Sequence, residues 1–313
     1  MIKTREKLTY RAFGFNMISS FSLPEIPETP VLEAEADIII DRTEADLVSM
    51  WEEKSQPGSY FVVEDNWVLF HVPETAAFLI KNGNHIAVSP INENKQDHMR
   101  LYLLGTCMGV MLMQRNIIPL HGSAIAINGK AYAVVGDSGA GKSTLARAFL
   151  KREYQLLSDD IIPVTFTADG QPMLTPAYPH QKLWLESLNE FGQDASELKP
   201  IVFRDTKFAV PVTEQFETNV LPLAAVFELV KTDKNEVRVQ PIDGLYQFHM
   251  LFKHTYRNQL IARSGLLDWH FQTCVKMASH IGVYQLQRPI TRFTADELAE
   301  IILSTIERGI IKS

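Results

Sequence analysis

The sequence predicts an α/β (α+β) protein: a β-rich N-terminal region over residues 1–95, then a domain over residues 96–313 centred on a strand, a glycine-rich loop and a helix. Three observations carry this. Residues 131–135 are a short apolar run of buried-strand type, and residues 144–150 carry apolar side chains at helical spacing. Between them stand Gly136, Asp137, Ser138, Gly139, Ala140, Gly141, Lys142, Ser143 and Thr144, which fit G-x-x-x-x-G-K-[ST]. The first 95 residues instead alternate apolar runs with turn residues and hold no cluster of catalytic residue types.

In the N-terminal region, residues 36–41 read as a strand. Residues 60–63 and 67–71 flank the turn Glu64-Asp65-Asn66. Residues 77–80 and 85–88 flank Lys81-Asn82-Gly83-Asn84, where Asn-Gly is a strong hairpin signal. The expected role of this region is docking or assembly. Residues 97–115 form an apolar helix leading into the second domain; its oily run, residues 101–113, is too short to span a bilayer.

Residues 120–127, the turn Asn128-Gly129 and residues 130–135 read as a hairpin that ends in the glycine loop. That approach is unusual, because the strand before such a loop commonly has parallel neighbours. After the helix, residues 154–157 form a strand ending on Ser158-Asp159-Asp160. Pro176 and Pro179 make residues 174–179 extended. Residues 180–189 start a helix that carries Glu186. Residues 221–230 and 237–241 read as strands and residues 289–293 as extended. Thr294-Ala-Asp-Glu297 has capping-box spacing and opens a last helix to about Glu307.

The loop carries the chemistry. Glycines let the backbone curl so that successive N–H groups point at one anion, and the following helix adds its positive end. Lys142 reaches the outer phosphates of a nucleotide, and the Ser143 hydroxyl can ligate Mg²⁺. An acidic residue on the next strand can hold the metal or its water. Two adjacent acids, Asp159 and Asp160, permit a division of labour, one on metal and one accepting a proton from an attacking hydroxyl. Neighbouring side chains on a strand point to opposite faces, so both serve one site only if the strand bends.

Bulk properties narrow the function classes. Apolar residues make up 46% and charged residues 21% of the 313, ordinary for a globular protein with a core. A net charge of −7 gives no reason to expect nucleic acid as a partner. Cys107 and Cys274 lack metal-ligand spacing and form no disulfide framework, as expected of reduced thiols in a cytoplasmic protein. Residues 1–7 are followed by no apolar stretch of signal-peptide type, and no membrane partner is expected. No internal repeat is visible.

Over residues 120–164 the sequence resembles the catalytic domain of HPr kinase/phosphorylase. The shared features are Leu120-His121-Gly122, the hairpin, the Gly136–Ser143 loop and Ser158-Asp159-Asp160, with His-Gly about fifteen residues before the loop and Asp-Asp about fifteen after it. The resemblance implies a nucleotide fold similar to phosphoenolpyruvate carboxykinase, the cofactors ATP and Mg²⁺, and a protein serine as acceptor. By position it implies Asp159 as general base and His121 as the residue steadying the catalytic carboxylate. Lys142 and the loop would bind nucleotide, and Ser143, Asp160 and Glu186 would contact metal.

The family's glycine-rich signature after that glutamate is missing; the chain reads Glu186-Ser-Leu-Asn-Glu-Phe191. The chain is therefore more similar to HPr-kinase-like proteins of peptide-tailoring clusters, including lasso-peptide kinases, which phosphorylate a serine of a precursor peptide. A bifunctional HPr kinase/phosphorylase is the alternative. Arg204 and Lys207 can bind a phosphate or peptide carboxylate, or be solvated. A homo-oligomer is a reasonable expectation from the family.

The expected reaction is Mg·ATP-dependent phosphoryl transfer to a serine of a peptide or protein. Three other classes compete. A GTPase is favoured by Asn94-Lys-Gln-Asp97, an N-K-x-D match, but this precedes the loop and no D-x-x-G follows it. A non-catalytic nucleotide-binding regulator suits the β-rich first region. A small-molecule hydroxyl kinase is not excluded by any residue.

Overall fold

The computed structural model describes residues 7–201 and 204–308; the side chains of Arg204 and Asp205 lie outside the described residues. The chain divides into two compact units, Met1–Ile117 with Gln259–Leu267, and Ile118–Asn258 with Asp268–Ser313.

The first unit is a seven-stranded sheet: β1 (Leu8–Ala12), β2 (Phe15–Ser19), β3 (Ile38–Arg42), β4 (Val62–Glu64), β5 (Trp67–Val72), β6 (Ala76–Lys81) and β7 (His85–Pro90). Its order is β1-β2-β3-β7-β6-β5-β4. Strands β4 to β7 form the two hairpins expected from their turns, and Asn82 and Gly83 both take positive φ (+57° and +65°) at the Asn-Gly signal. Helix α1 (Leu47–Lys54) buries Leu47 against β5 and β6.

The expected apolar helix is α2 (Gln96–Tyr102), one π turn (Leu103–Cys107) and α3 (Met108–Gln114). It belongs to the first unit, which moves the boundary from 95/96 to 117/118. The reason lies at its C-terminal end. Gln114 Oε1 accepts from Gly83 N at 3.0 Å, Arg115 Nη1 donates to Gly83 O at 2.6 Å, and the Arg115 guanidinium lies 4.6 Å from the Phe15 ring. Asn94-Lys95-Gln96-Asp97 opens this helix, with Lys95 paired to Glu74 and Asp97 to Arg100.

The second unit is built on β8 (Ile118–Ile127), β9 (Lys130–Val135), α4 (Lys142–Leu150), β10 (Gln155–Phe166) and β11 (Pro172–Leu174). Then come β12 (His180–Trp184), α5 (Leu185–Glu190), β13 (Lys199–Ile201), β14 (Arg204–Pro211), β15 (Leu221–Thr232) and β16 (Arg238–Pro241). Helix α6 (Leu245–Lys253) follows; α7 (Gln259–Arg263) returns to the first unit; α8 (Leu267–His280), β17 (Gly282–Pro289) and α9 (Ala295–Glu307) complete the chain.

The main sheet runs β11-β10-β8-β9-β15-β17-β16, and β11 also pairs with β15, closing five strands on themselves. Strand β9 has an antiparallel neighbour, β8, and a parallel one, β15. The hairpin into the loop and the central parallel strand are therefore both present. One apolar cluster packs Leu145, Phe149, Phe227, Leu229 and Leu286 together beneath α4 and α9; another packs Ile118, Leu120, Val226, Met250 and Met277 on the opposite face.

Three local expectations change. Residues 180–184 are a strand, because Gln181 and Leu183 alternate inward and the segment pairs with β14. Only residues 185–190 are helical. The Thr294 side chain makes no cap bond; it is buried, and Glu297 pairs instead with Arg292 at 2.6 Å. Asp159 and Asp160 lie within β10, which continues to Phe166, rather than at a strand end.

Candidate active site

Strand β9 delivers the chain into the glycine loop, and α4 leaves it. A Cβ on Gly136 would come 2.6 Å from Leu229 O, so only glycine lets the loop pass so close to β15. Lys142 folds back over the loop and donates from Nζ to Gly136 O at 2.8 Å and Asp137 O at 3.2 Å. Burial lowers its ammonium below the usual range, while Asp159, Asp160 and Asp137 pull it the other way. Thr144 Oγ1 is 2.8 Å from Ser187 Oγ, tying α4 to α5.

The two aspartates lie on a distorted stretch of β10. The pairing of β10 with β8 slips between Leu156 and Ser158, and Asp160 has φ +97°, a region side chains rarely adopt. Such a residue stores on the order of 1–3 kcal/mol of strain. The bend is braced by Ser158 Oγ, which donates to Ile161 O. It sends the two carboxylates to different partners.

Asp159 is buried and saturated. Its Oδ1 accepts from Ser143 Oγ at 2.9 Å and Ser123 Oγ at 2.5 Å, and its Oδ2 from Lys182 N at 2.8 Å. Desolvation nevertheless outweighs these donors and raises its pKa. Asp160 faces Lys182 Nζ at 2.5 Å and His121 Nδ1 at 3.4 Å. Burial pushes its carboxyl up, but Lys182 and His121 prevail and hold it well below the carboxylate range. Lys182 is correspondingly raised, Asp160 outweighing the burial that would lower it.

His121 Nδ1 is 2.9 Å from the Asp160 carbonyl oxygen, which can only accept, so Nδ1 carries the proton. Burial lowers its pKa, leaving a neutral ring at pH 7 with its lone pair on Nε2. Between His121 and Ser123 on β8 lies Gly122. A Cβ there would come 2.2 Å from Val134 O, so the two side chains can only flank a glycine.

The structure thus brings Ser143 to Asp159 and His121 to Asp160, the reverse of the sequence expectation, which joined Ser143 with Asp160 and His121 with Asp159. Glu186 is exposed in the first turn of α5, and its charge acts on Arg288. Lys207 on β14 is opposite Trp184 on β12, its ammonium 5.4 Å from that ring, and its charge lowers both aspartates. The Arg204 side chain lies outside the described residues.

Several site residues escaped the sequence reading. Ser123 had a signal: it is two residues from His121 on a strand and so shares its face. Lys182 was hidden by reading its strand as helix. Glu228, which accepts from buried His254 at 3.0 Å and Gln285 at 3.2 Å, had none; neither did Lys253, 3.1 Å from Asp137.

Among the described residues no group of three or more His, Cys, Asp or Glu is arranged to hold a metal. Mg²⁺ beside a nucleotide needs no such cluster, since one or two carboxylates, phosphates and water suffice. The oxygen pair of Ser143 and Asp159 fits that donor set. A cation there would relieve the burial that raises Asp159.

Comparison with known proteins agrees in part. No family model matches the chain. Among curated proteins it is similar to HPr kinase/phosphorylase of Mycoplasmopsis pulmonis, 33% identical over 64 residues, which cover 20% of this chain and 21% of that one. The homology to HPr kinase/phosphorylase is weak and local. The chain spans about a fifth of the curated relative it matches. Among solved structures it is similar to the HPr(Ser) kinase/phosphatase from Coxiella burnetii, with TM-score 0.33 and 16% identity over 61% of this chain and 95% of that one. No helix among the described residues is long and apolar enough to cross a membrane.

Proposed function

We propose that this protein is a Mg·ATP-dependent kinase that transfers the γ-phosphoryl group to a serine hydroxyl of a peptide or protein. The observation that carries the reading is the 2.9 Å bond from Ser143 Oγ to Asp159 Oδ1, which joins the hydroxyl of a phosphate loop to an acidic strand residue. The local homology to HPr kinase/phosphorylase supports a kinase-like activity. The serine acceptor rests on the sequence resemblance alone, as does its narrower form, a ribosomally made lasso-peptide precursor.

The bonding pattern favours an exchange of the two aspartate roles. Ser143 and Asp159 would hold Mg²⁺, which supplies neutralising charge on the phosphates. Lys142 and the loop N–H groups bind the phosphate chain. Asp160 is the less enclosed carboxylate, with its side chain 22% exposed, and it accepts the hydrogen bond and then the proton of the incoming hydroxyl. Lys182 keeps it ionised, and His121 fixes its orientation.

A cytoplasmic setting is supported by two free, buried cysteines. We read the first unit as a docking or assembly module and the protein as a homo-oligomer, both on sequence grounds. The test is incubation with labelled ATP, Mg²⁺ and a library of serine peptides, read by mass spectrometry. A phosphate-sized gain on serine, absent for Asp160→Asn, is expected. ATP binding with no transfer to any peptide or protein would instead favour the regulator.

A further inference from the structure

We infer that Lys231 and Arg288 form a second cationic wall of the phosphate site, contributed by the side of the sheet that carries no catalytic carboxylate, and that they set affinity for the polyphosphate chain. The inference rests on the phosphate-loop reading above and adds the residues that grip the ligand from the other side.

Sheet order supplies the geometry. The loop follows β9. On one side are β8 and β10, which carry His121, Ser123, Asp159 and Asp160; on the other are β15 and β17. Strands β15 and β17 are parallel and in register, with Leu229 opposite Leu286 and Lys231 opposite Arg288. Residues two apart on a strand share a face. Leu229 and Leu286 pack beneath α4 with Ala140 and Leu145, so Lys231 and Arg288 continue that row one step further, to the loop itself.

Their head groups are where that placement predicts. A Cβ on Gly139 would lie 3.6 Å from Lys231 Nζ, and one on Gly141 would lie 3.4 Å from Arg288 Nε. Arg288 Nε donates to Ala140 O at 2.6 Å, and its Nη1 to Pro289 O at 3.3 Å. Neither residue has a carboxylate within ion-pair distance among the described residues, and the Lys231 ammonium makes no hydrogen bond among them.

The two neighbouring cations repel each other, Glu186 acting on Arg288 only from beyond ion-pair distance, and the chain as a whole is acidic at −7. Lys142 adds a third positive charge on the same loop. A polyphosphate chain neutralises all three, and the planar guanidinium suits a bidentate phosphate contact. The contact is made to bound substrate and transition state alike, so it acts on affinity more than on turnover.

The test is isothermal titration of inorganic tripolyphosphate with Mg²⁺, and of Mg·ATP, into the full chain and into Lys231→Gln, Arg288→Gln and Lys142→Ala. Lys231→Gln removes no hydrogen bond or ion pair of the ammonium among the described residues, so it remains informative if Arg288→Gln disturbs the loop. Each of the two is expected to weaken both ligands about tenfold. The salt dependence of binding should flatten. If Lys142→Ala loses the ligands while Lys231→Gln and Arg288→Gln keep wild-type affinity, this inference fails and the loop assignment stands. If the wild-type chain binds neither ligand, both fail.

Discussion

Ser143 Oγ and Asp159 Oδ1 are 2.9 Å apart, and the same carboxylate oxygen takes a second hydroxyl bond from Ser123 at 2.5 Å. The next residue, Asp160, turns through a positive φ to His121 and Lys182. One bend in β10 therefore separates a buried carboxylate beside the loop from a more open one turned to His121 and Lys182.

That separation predicts different losses. Asp159→Asn should reduce Mg²⁺-dependent ATP binding, while Asp160→Asn should leave it near wild type and cut transfer by about a hundredfold or more. Titrations with and without Mg²⁺, alongside single-turnover rates, distinguish them. The opposite pattern would restore the roles read from sequence.

Lys182 sets the ionisation of Asp160. With its ammonium present, the Asp160 carboxyl is held well below its ordinary value; with it gone, burial, which raises that pKa, faces less opposition. Lys182→Met should therefore move the acidic limb of the pH–rate profile to higher pH. An unmoved limb would remove Asp160 from the titrating step.

Gly122→Ala should be strongly destabilising, because the new methyl would lie 2.2 Å from Val134 O in the adjacent strand. A loss of about 3 kcal/mol or more is expected. A midpoint unchanged in denaturant would mean the strands separate there without cost.

The loop, its hairpin and the strand carrying the aspartates were legible in the sequence because glycine spacing and short apolar runs are local signals. The partners of each carboxylate were not, since they depend on a backbone twist at Asp160 that no residue type announces. Lys182 was missed because Leu183, Trp184 and Leu185 suit a helix as readily as a strand; pairing with β14 decided it. Arg288 and Lys231 come to the loop only through parallel register between strands far apart in sequence. The helices over residues 245–280 were also unread, their apolar faces being interrupted by aromatic side chains that remain exposed, such as Phe271.

His270 links packing to pH. It is buried on α8, 2.8 Å from Thr255 Oγ1, and burial lowers its pKa from 6.5 to about 4. Thr255 already donates to Leu251 O, so His270 Nε2 carries the proton and Nδ1 faces Cys274 Sγ at 3.6 Å. The thiol, pushed up to about 12, is unreactive. Because the folded pKa is depressed, its stability contribution is complete above pH 6.5 and is lost as pH falls toward 4. Unfolding midpoints should drop over that window by on the order of 3 kcal/mol, and His270→Gln should flatten the fall.

The most direct test of the account is Mg·ATP binding by isothermal titration to the wild-type chain and to Lys142→Ala. The account predicts saturable one-site binding to the wild type that requires Mg²⁺ and weakens at least about tenfold in the variant. Equal affinities, or no binding to either protein, would contradict it.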